Sequence, residues 1–87
     1  MHRLAQSRNK TVGSKQTMKA IEKDQALAVY IARDAERRVV EPVLGACRSR
    51  QVRVVEVENM RVLGKLCNID VGCACAAILK EGAPGSP

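Results

Sequence analysis

Aromatic side chains are nearly absent from this sequence: Tyr30 is the one tyrosine among 87 residues, and there is no Phe or Trp. Domains that read single-stranded nucleic acids usually stack the bases on exposed aromatic rings. Recognition by base stacking is therefore not expected here. Any ligand has to be contacted by backbone groups, lysines, amides and small aliphatic side chains.

Groups that carry catalysis or bind metals are also scarce. The one histidine is His2, and no nucleophile has an evident base. The sequence also shows no paired carboxylates in a plausible cleft. The cysteines Cys47, Cys67, Cys73 and Cys75 contain no Cys-x-x-Cys pair, which argues against a zinc site. We predict no enzymatic activity, no cofactor and no metal. The cysteines are interpreted as small buried hydrophobic residues, with a redox or metal protein as the less favoured alternative.

Long apolar segments are missing as well. No stretch reaches the roughly 18 uncharged apolar residues that span a membrane. No apolar run follows the first basic residue, as a signal peptide requires. We therefore expect a cytoplasmic protein.

Positive charge is what the chain has in excess. Fifteen Lys and Arg residues against nine Asp and Glu leave a net charge of +6. In a domain of this size, that balance favours a polyanionic partner such as RNA, DNA or a membrane surface. Binding of this kind weakens steeply as salt is added.

The chain length allows one domain with one core, and 46% of its residues are hydrophobic. We predict a single domain over residues 1–80. Residues 81–87 are rich in Gly and Pro and are predicted to form a disordered tail.

Local patterns predict helices that alternate with strands. Leu27–Ala32 is a continuous apolar run, which indicates a buried central strand. The predicted elements, in chain order, are a short helix at residues 2–7, a strand at Thr11–Val12, a helix from Ser14 to about Lys23, the strand Leu27–Ala32, a helix from about Glu41 to Arg50, the strand Val52–Val57, a helix capped by Asn59 and reaching Cys67, and the strand Cys73–Leu79. This alternation predicts a three-layer α/β/α sandwich around a small mixed four-stranded sheet.

Two details of these helices are more specific. Val40, Val43 and Cys47 recur at the spacing of one helical stripe. Pro42 is best tolerated in a first turn, so their helix is predicted to begin close to Glu41. In the following helix, Gly64 is predicted to permit a close approach to the sheet.

The segment Gly13–Lys19 is a glycine turn that opens a helix, with Ser14 as the predicted N-cap. Helix N-termini normally attract Asp or Glu, but the first turns here offer Lys15 and Lys19. Free backbone N–H groups and two lysines together make an end that can bind anions. Taken alone, a solvated basic helix start explains the segment equally well.

A second candidate is the loop Ile69–Gly72, which precedes the last predicted strand. Ile69 and Val71 lie beside a turn, where they can be partly exposed. The alternative is that both residues simply complete the core, and for the loop in isolation it is the favoured interpretation.

Together, GSKQTMKAI, IARDAE and VRVVEVENMRVLGKLCNIDVGCACAAIL resemble the ribosomal protein L-seven-Ae family of kink-turn RNA-binding proteins, most closely its small bacterial members. The resemblance covers Leu4–Leu79, with the segments in the expected order and spacing. It implies a compact α/β/α sandwich that docks on a sharply bent RNA with tandem G·A pairs and a flipped-out nucleotide.

The resemblance assigns one group of RNA contacts to the helix start. Gly13 and Ser14 would bring backbone N–H groups close to RNA. Lys15 and Gln16 would face guanine edges, and Lys19 would contact a guanine edge or a phosphate. Archaeal and eukaryotic relatives usually carry Asn-Glu in place of Lys15-Gln16, which puts the fine specificity in question but not the binding mode.

The resemblance assigns a second group of contacts to the flipped-out nucleotide. The loop residues that would close over it are Ile69, Asp70, Val71 and Gly72. Glu36 matches a position that touches the same nucleotide in some relatives.

The expected function is thus non-enzymatic recognition of structured RNA, either ribosomal RNA or a riboswitch, by a protein that is monomeric when free and ribosomal or ribosome-associated. The alternative is a protein-interaction or ribosome-assembly module with only non-specific affinity for RNA. The glycine, lysine and glutamine at the helix start favour the first reading, because a pure protein binder has no need of them.

Overall fold

A computed structural model describes residues 10–80 of the chain. The short helix predicted at residues 2–7 and the tail predicted at residues 81–87 lie outside the described residues. The elements, in chain order, are β1 (Lys10–Val12), α1 (Ser14–Glu22), β2 (Ala26–Ala32), α2 (Arg37–Arg50), β3 (Arg53–Val57), α3 (Met60–Leu66) and β4 (Cys75–Leu79).

The strands form one mixed sheet in the order β1-β4-β2-β3. Strand β4 pairs antiparallel with both β1 and β2, whereas β2 and β3 are parallel. A parallel pair needs a long crossover, and α2 supplies it. The predicted small mixed four-stranded sheet is confirmed, and the central position predicted for the apolar run at Leu27–Ala32 is correct.

The two faces of the sheet carry separate cores. Alternation along β2 sends Val29 and Ile31 toward α1 and α2, and sends Ala28 and Tyr30 toward α3. Helices therefore cover both faces, as in the predicted three-layer sandwich. From Ala28 to Ala32 the strand is buried on both sides, and this part of its sequence is therefore apolar instead of alternating, whereas Leu27 is exposed.

Helix α2 begins one turn earlier than predicted. Its N-cap is Glu36, whose carbonyl accepts hydrogen bonds from the N–H groups of Val39 and Val40 at 3.0 and 3.2 Å. Pro42 lies inside the helix and has no N–H to donate to the carbonyl four residues before it. The prediction of a start near Glu41 was wrong because Val40 is buried, and its packing outweighs one missing hydrogen bond.

The four cysteines are free and buried. Cys47 and Cys75 lie in the core beneath α1 and α2, whereas Cys67 and Cys73 lie in the core beneath α3. Cys73 precedes β4 and does not belong to it, which corrects the predicted start of the last strand. Their predicted role as small buried hydrophobic residues is confirmed. No helix within residues 10–80 is long and apolar enough to cross a membrane.

Candidate nucleic-acid interface

The turn into α1 is built on Gly13. Its φ of 96° lies in the region that favours glycine, and Gly13 itself occupies the N-cap position. The Gly13 N–H donates to the Cys75 carbonyl at 2.9 Å, and the Gly13 carbonyl accepts from the Thr17 N–H at 3.0 Å. Ser14 is the first helical residue, so its prediction as the N-cap was wrong. No side chain caps this end, and the first turn holds no acidic residue.

One side of α1 is fixed to the core and the other carries the candidate residues. Ala20 and Ile21 are buried, and the buried Thr17 hydroxyl lies 3.4 Å from that of Thr11. The opposite side presents the exposed side chains of Lys15, Gln16 and Lys19. Within residues 10–80, neither lysine forms an ion pair. The backbone N–H groups of the first turn carry partial positive charge, and the two ammonium groups carry full positive charge. This side of α1 therefore presents positive charge to solvent.

The loop Ile69–Gly72 presents an apolar side chain to solvent. Val71 is 70% exposed, more than any other large hydrophobic residue described in the structure. Ile69 is half-buried and packs against the core beneath α3. The predicted partial exposure of this loop is confirmed, and the alternative that both residues complete the core is wrong for Val71.

Backbone contacts with α3 hold this loop in place. The Ile69 N–H donates to the Gly64 carbonyl at 3.0 Å, and the Cys73 N–H donates to the Met60 carbonyl at 3.0 Å. A Cβ on Gly64 would collide with the carbonyl oxygen of Val71. Gly64 therefore allows the loop to approach the helix, which corrects the prediction that it approaches the sheet. Val71 is exposed on a fixed loop and is not the tip of a loose one.

The start of β4 brings the two candidate segments together. Cys75 is hydrogen-bonded to Gly13, and the loop ends at Gly72, three residues before Cys75. Ala74, in between, accepts a hydrogen bond from the N–H of Ala32 at 2.9 Å, which brings the end of β2 to the same place. The start of α1, the Ile69–Gly72 loop and the β2–α2 loop therefore share one end of the sheet.

The β2–α2 loop carries Glu36, which the resemblance assigned to the flipped-out nucleotide. Its carboxylate accepts a hydrogen bond from Arg38 at 2.9 Å, and both side chains are exposed. An exposed pair of this kind contributes less than about 1 kcal/mol, so a ligand can displace it. Of the ion pairs within residues 10–80, the one that involves a predicted site residue is that of Glu36 with Arg38.

Asp34 belongs to this region and was not predicted. Its carboxylate accepts a hydrogen bond from the backbone N–H of Met60 at 2.8 Å, which ties the β2–α2 loop to the first turn of α3. An Asp in a polar loop is an ordinary turn residue. Its partner lies 26 residues later, and no local pattern could have indicated the pairing.

The four thiols are packing groups with distinct acidities. Burial raises the pKa of Cys75 to about 11 and also raises that of Cys47. Cys67 hydrogen-bonds to Cys73, which raises the pKa of Cys67 and lowers that of Cys73 to about 7. The Cys73 thiol also donates to the Cys75 carbonyl at 2.9 Å. Within the described part of the chain, His, Cys, Asp and Glu form no group of three or more that could hold a metal ion.

The fold and this end of the sheet define a small α/β sandwich with a basic, anion-attracting edge. Comparison with known proteins makes the assignment specific. The model of the ribosomal protein L7Ae/L30e/S12e/Gadd45 family matches residues 2–85. The chain belongs to this family.

Individual relatives agree with the family assignment. An RNA-binding protein of Halalkalibacterium halodurans is 42% identical over 90% of this chain and 95% of its own length. The RNA-binding protein YbxF of Geobacillus stearothermophilus is 41% identical over 79% of this chain and 84% of its own. Among solved structures, the 15.5kD RNA binding protein of Giardia lamblia superimposes with a TM-score of 0.81, at 28% identity over 91% of this chain and 67% of its own.

Proposed function

We propose that this protein binds kink-turn RNA and stabilises its bent form. The observation that carries the proposal is the convergence, at the start of β4, of the uncapped basic end of α1 and a fixed loop that exposes Val71. The family and the RNA-binding proteins among the relatives support RNA as the partner. The family includes ribosomal proteins, and ribosomal RNA is therefore the first candidate target.

In this proposal the start of α1 enters the groove at the tandem G·A pairs. Gly13 has no side chain to hold the backbone away, and a Cβ placed there would meet only open space in the free protein. The N–H groups of the first turn face the RNA. Lys15 and Lys19 donate to base edges or phosphates, while the Gln16 amide can both donate and accept. These side chains are exposed in the free protein, and within residues 10–80 the two lysines have no ion pair that binding would have to break.

The loop supplies the second half of the contact. Val71 covers the nucleotide that is flipped out of the bent RNA, and Ile69 anchors the loop beneath it. Removing an exposed valine side chain from water contributes about 1 kcal/mol. Because Gly64 and Met60 already hold the loop in place, little ordering entropy is lost when the nucleotide binds.

Stabilisation of the bend requires only differential affinity. Free RNA of this type exchanges between extended and kinked forms, and a protein that contacts the G·A pairs and the extruded nucleotide together binds the kinked form more tightly. The kinked population then rises by mass action. No chemical step is needed.

The test is a titration against a kink-turn RNA and a copy in which Watson–Crick pairs replace the G·A pairs, with end-to-end fluorescence transfer as the readout of bending. We expect tight binding and bending of the first RNA, with binding of the second weakened at least tenfold. Equal affinity for the two RNAs would contradict the proposal and support an interaction or assembly module with non-specific RNA affinity.

A further inference from the structure

A hollow of about 350 Å³ lies beside the Ile69–Gly72 loop. Arg61 and Lys65, from the exposed side of α3, form one wall. The four residues of the loop form the other, including the exposed carboxylate of Asp70. Neither Arg61 nor Lys65 was predicted from the sequence to contact a ligand.

Within residues 10–80, no ion pair neutralises the charges in this hollow. Within residues 10–80, the basic side chains that form ion pairs are Arg33, Arg37, Arg38 and Lys80. Arg61 and Lys65 are four residues apart on one helical face, where like charges repel by a few tenths of a kcal/mol. Asp70 lines the same hollow and yet forms no ion pair with either of them. The hollow thus offers two free cationic groups and one free hydrogen-bond acceptor.

We infer that this hollow holds the ribose-phosphate of the nucleotide next to the flipped-out one, with the phosphate on Arg61 and Lys65 and the ribose 2′-hydroxyl on Asp70. The inference rests on the proposed function, because it uses the Ile69–Gly72 loop as the cover of the extruded nucleotide. The RNA backbone that leaves that nucleotide has to pass one side of the loop. All four loop residues line the hollow, so the hollow lies on such a side.

The chemistry selects a ribose-phosphate over a bare anion. A carboxylate repels phosphate, so Asp70 beside two cations is unfavourable for an inorganic anion alone. A ribose adds the one group in the sugar–phosphate unit that donates a hydrogen bond, its 2′-hydroxyl, and this group distinguishes RNA from DNA. The volume also fits, because 350 Å³ is near the lower limit of small-ligand pockets and has room for one sugar and one phosphate.

The first experiment compares two double variants that lose the same charge. Arg61→Gln with Lys65→Gln removes both positive charges from the hollow. Arg50→Gln with Arg53→Gln removes two exposed arginines at the opposite end of the sheet. Affinity for the kink-turn RNA is measured from 50 to 300 mM salt. We expect the hollow variant to bind about tenfold more weakly and to reduce the steepness of log affinity against log salt by about 1, because one phosphate contact is lost. The control should change affinity less than threefold and leave the slope unchanged.

The second experiment locates the ribose. Single 2′-deoxy substitutions are placed on each side of the flipped-out nucleotide, and each RNA is titrated with the wild type and with Asp70→Ala. We expect one deoxy position to weaken wild-type binding about fivefold and to have no effect on Asp70→Ala. If no deoxy effect depends on Asp70, the ribose assignment is wrong.

These outcomes separate the inference from the proposed function. If both double variants weaken binding equally, the effect is diffuse charge and the hollow is not a phosphate site. If the hollow variant binds as the wild type does while the G·A discrimination persists, the inference is overturned, the proposed function stands, and the hollow is left for an acidic protein partner. Loss of G·A discrimination in the wild type overturns the proposed function itself.

Discussion

Both ends of the sheet are basic, but the fold explains the charge at one end only. Arg48 and Arg50 lie in the last turn of α2, where cations interact favourably with the helix dipole. Lys15 lies in the first turn of α1, where the same dipole repels it and no acidic residue is present. Arg53 pairs with Ala28 in the first half of β2, and Gly13 is tied to the end of β4 that adjoins Ala32, so the two regions are at opposite ends.

The comparison shows that net charge is a poor guide to a binding site, whereas charge that works against its own secondary structure is a better one. A net charge of +6 does not distinguish the two ends. At the Arg48–Arg53 end, basic residues stabilise the protein by themselves. At the Gly13–Lys19 end, Lys15 opposes the dipole of its own helix and reduces stability slightly, whereas Lys19 lies in the last turn. An anionic partner at the helix start offsets the cost of Lys15.

Charge reversal at the two ends is the largest expected effect. Lys15→Glu should stabilise the protein by about 0.3–1 kcal/mol, because it places an acid at a helix N-terminus. It should weaken kink-turn binding about 100-fold, since it removes a base-edge contact and adds repulsion. Arg50→Glu should do the reverse: a loss of about 0.3–1 kcal/mol in stability with less than a threefold change in affinity. Urea unfolding and RNA titration measure both quantities, and parallel losses of affinity in the two variants would refute the distinction between the ends.

Two helical glycines give the next largest effect. Gly64→Ala drives a methyl group into the Val71 carbonyl, so we expect the free energy of unfolding to fall by about 2 kcal/mol and RNA affinity to fall with it. Gly45→Ala is the matched control, because a Cβ at Gly45 meets only open space. It should stabilise the protein by up to about 1 kcal/mol without altering RNA binding. If Gly64→Ala keeps full stability, the prediction is wrong, and the Ile69–Gly72 loop can move away from the added methyl group.

Neutral truncations test the contacts one at a time. Gln16→Ala and Lys19→Ala should each weaken kink-turn binding by about 1–3 kcal/mol, as expected for a lost base-edge contact. Arg48→Ala removes the same kind of charge from the opposite end and should change binding by less than about 0.5 kcal/mol. Isothermal titration at one fixed salt concentration provides the comparison. Equal losses at all three positions would indicate non-specific attraction by the whole charge.

Much of the fold could be predicted from local patterns. The apolar run of β2, the Val40, Val43 and Cys47 stripe, and the Asn59 cap each depend on residues within one element. The Asn59 side chain accepts from the Val62 N–H at 2.9 Å, as a cap should. These predictions hold because the physical cause and its consequence lie close together in the chain.

Two of the errors and one omission arise from contacts between distant segments. Helix α2 runs through Pro42 because burial of Val40 outweighs a local penalty. Gly64 is needed because the carbonyl group of Val71 lies against it. Helical periodicity gives no indication of this contact. Asp34 finds its partner at Met60 across two elements. The ten residues assigned to RNA came from the resemblance, and their roles stay predictions until RNA titrations are made.

Val71 offers the smallest and most selective test of the difference between the two ends. It is 70% exposed, so Val71→Ala removes almost no buried surface and should leave the unfolding midpoint unchanged. Covering a base with valine and not alanine is worth about 1 kcal/mol, so affinity for the kink-turn RNA should fall about fivefold. Val54→Ala is the matched control, because Val54 is the exposed valine of β3, 38% accessible, and lies near the Arg48–Arg53 end. It should leave RNA binding unchanged, and an RNA whose flipped-out nucleotide is deleted should bind Val71→Ala and the wild type equally. If Val71→Ala instead lowers affinity for both RNAs alike, the side chain contacts the RNA elsewhere and does not cover the extruded base.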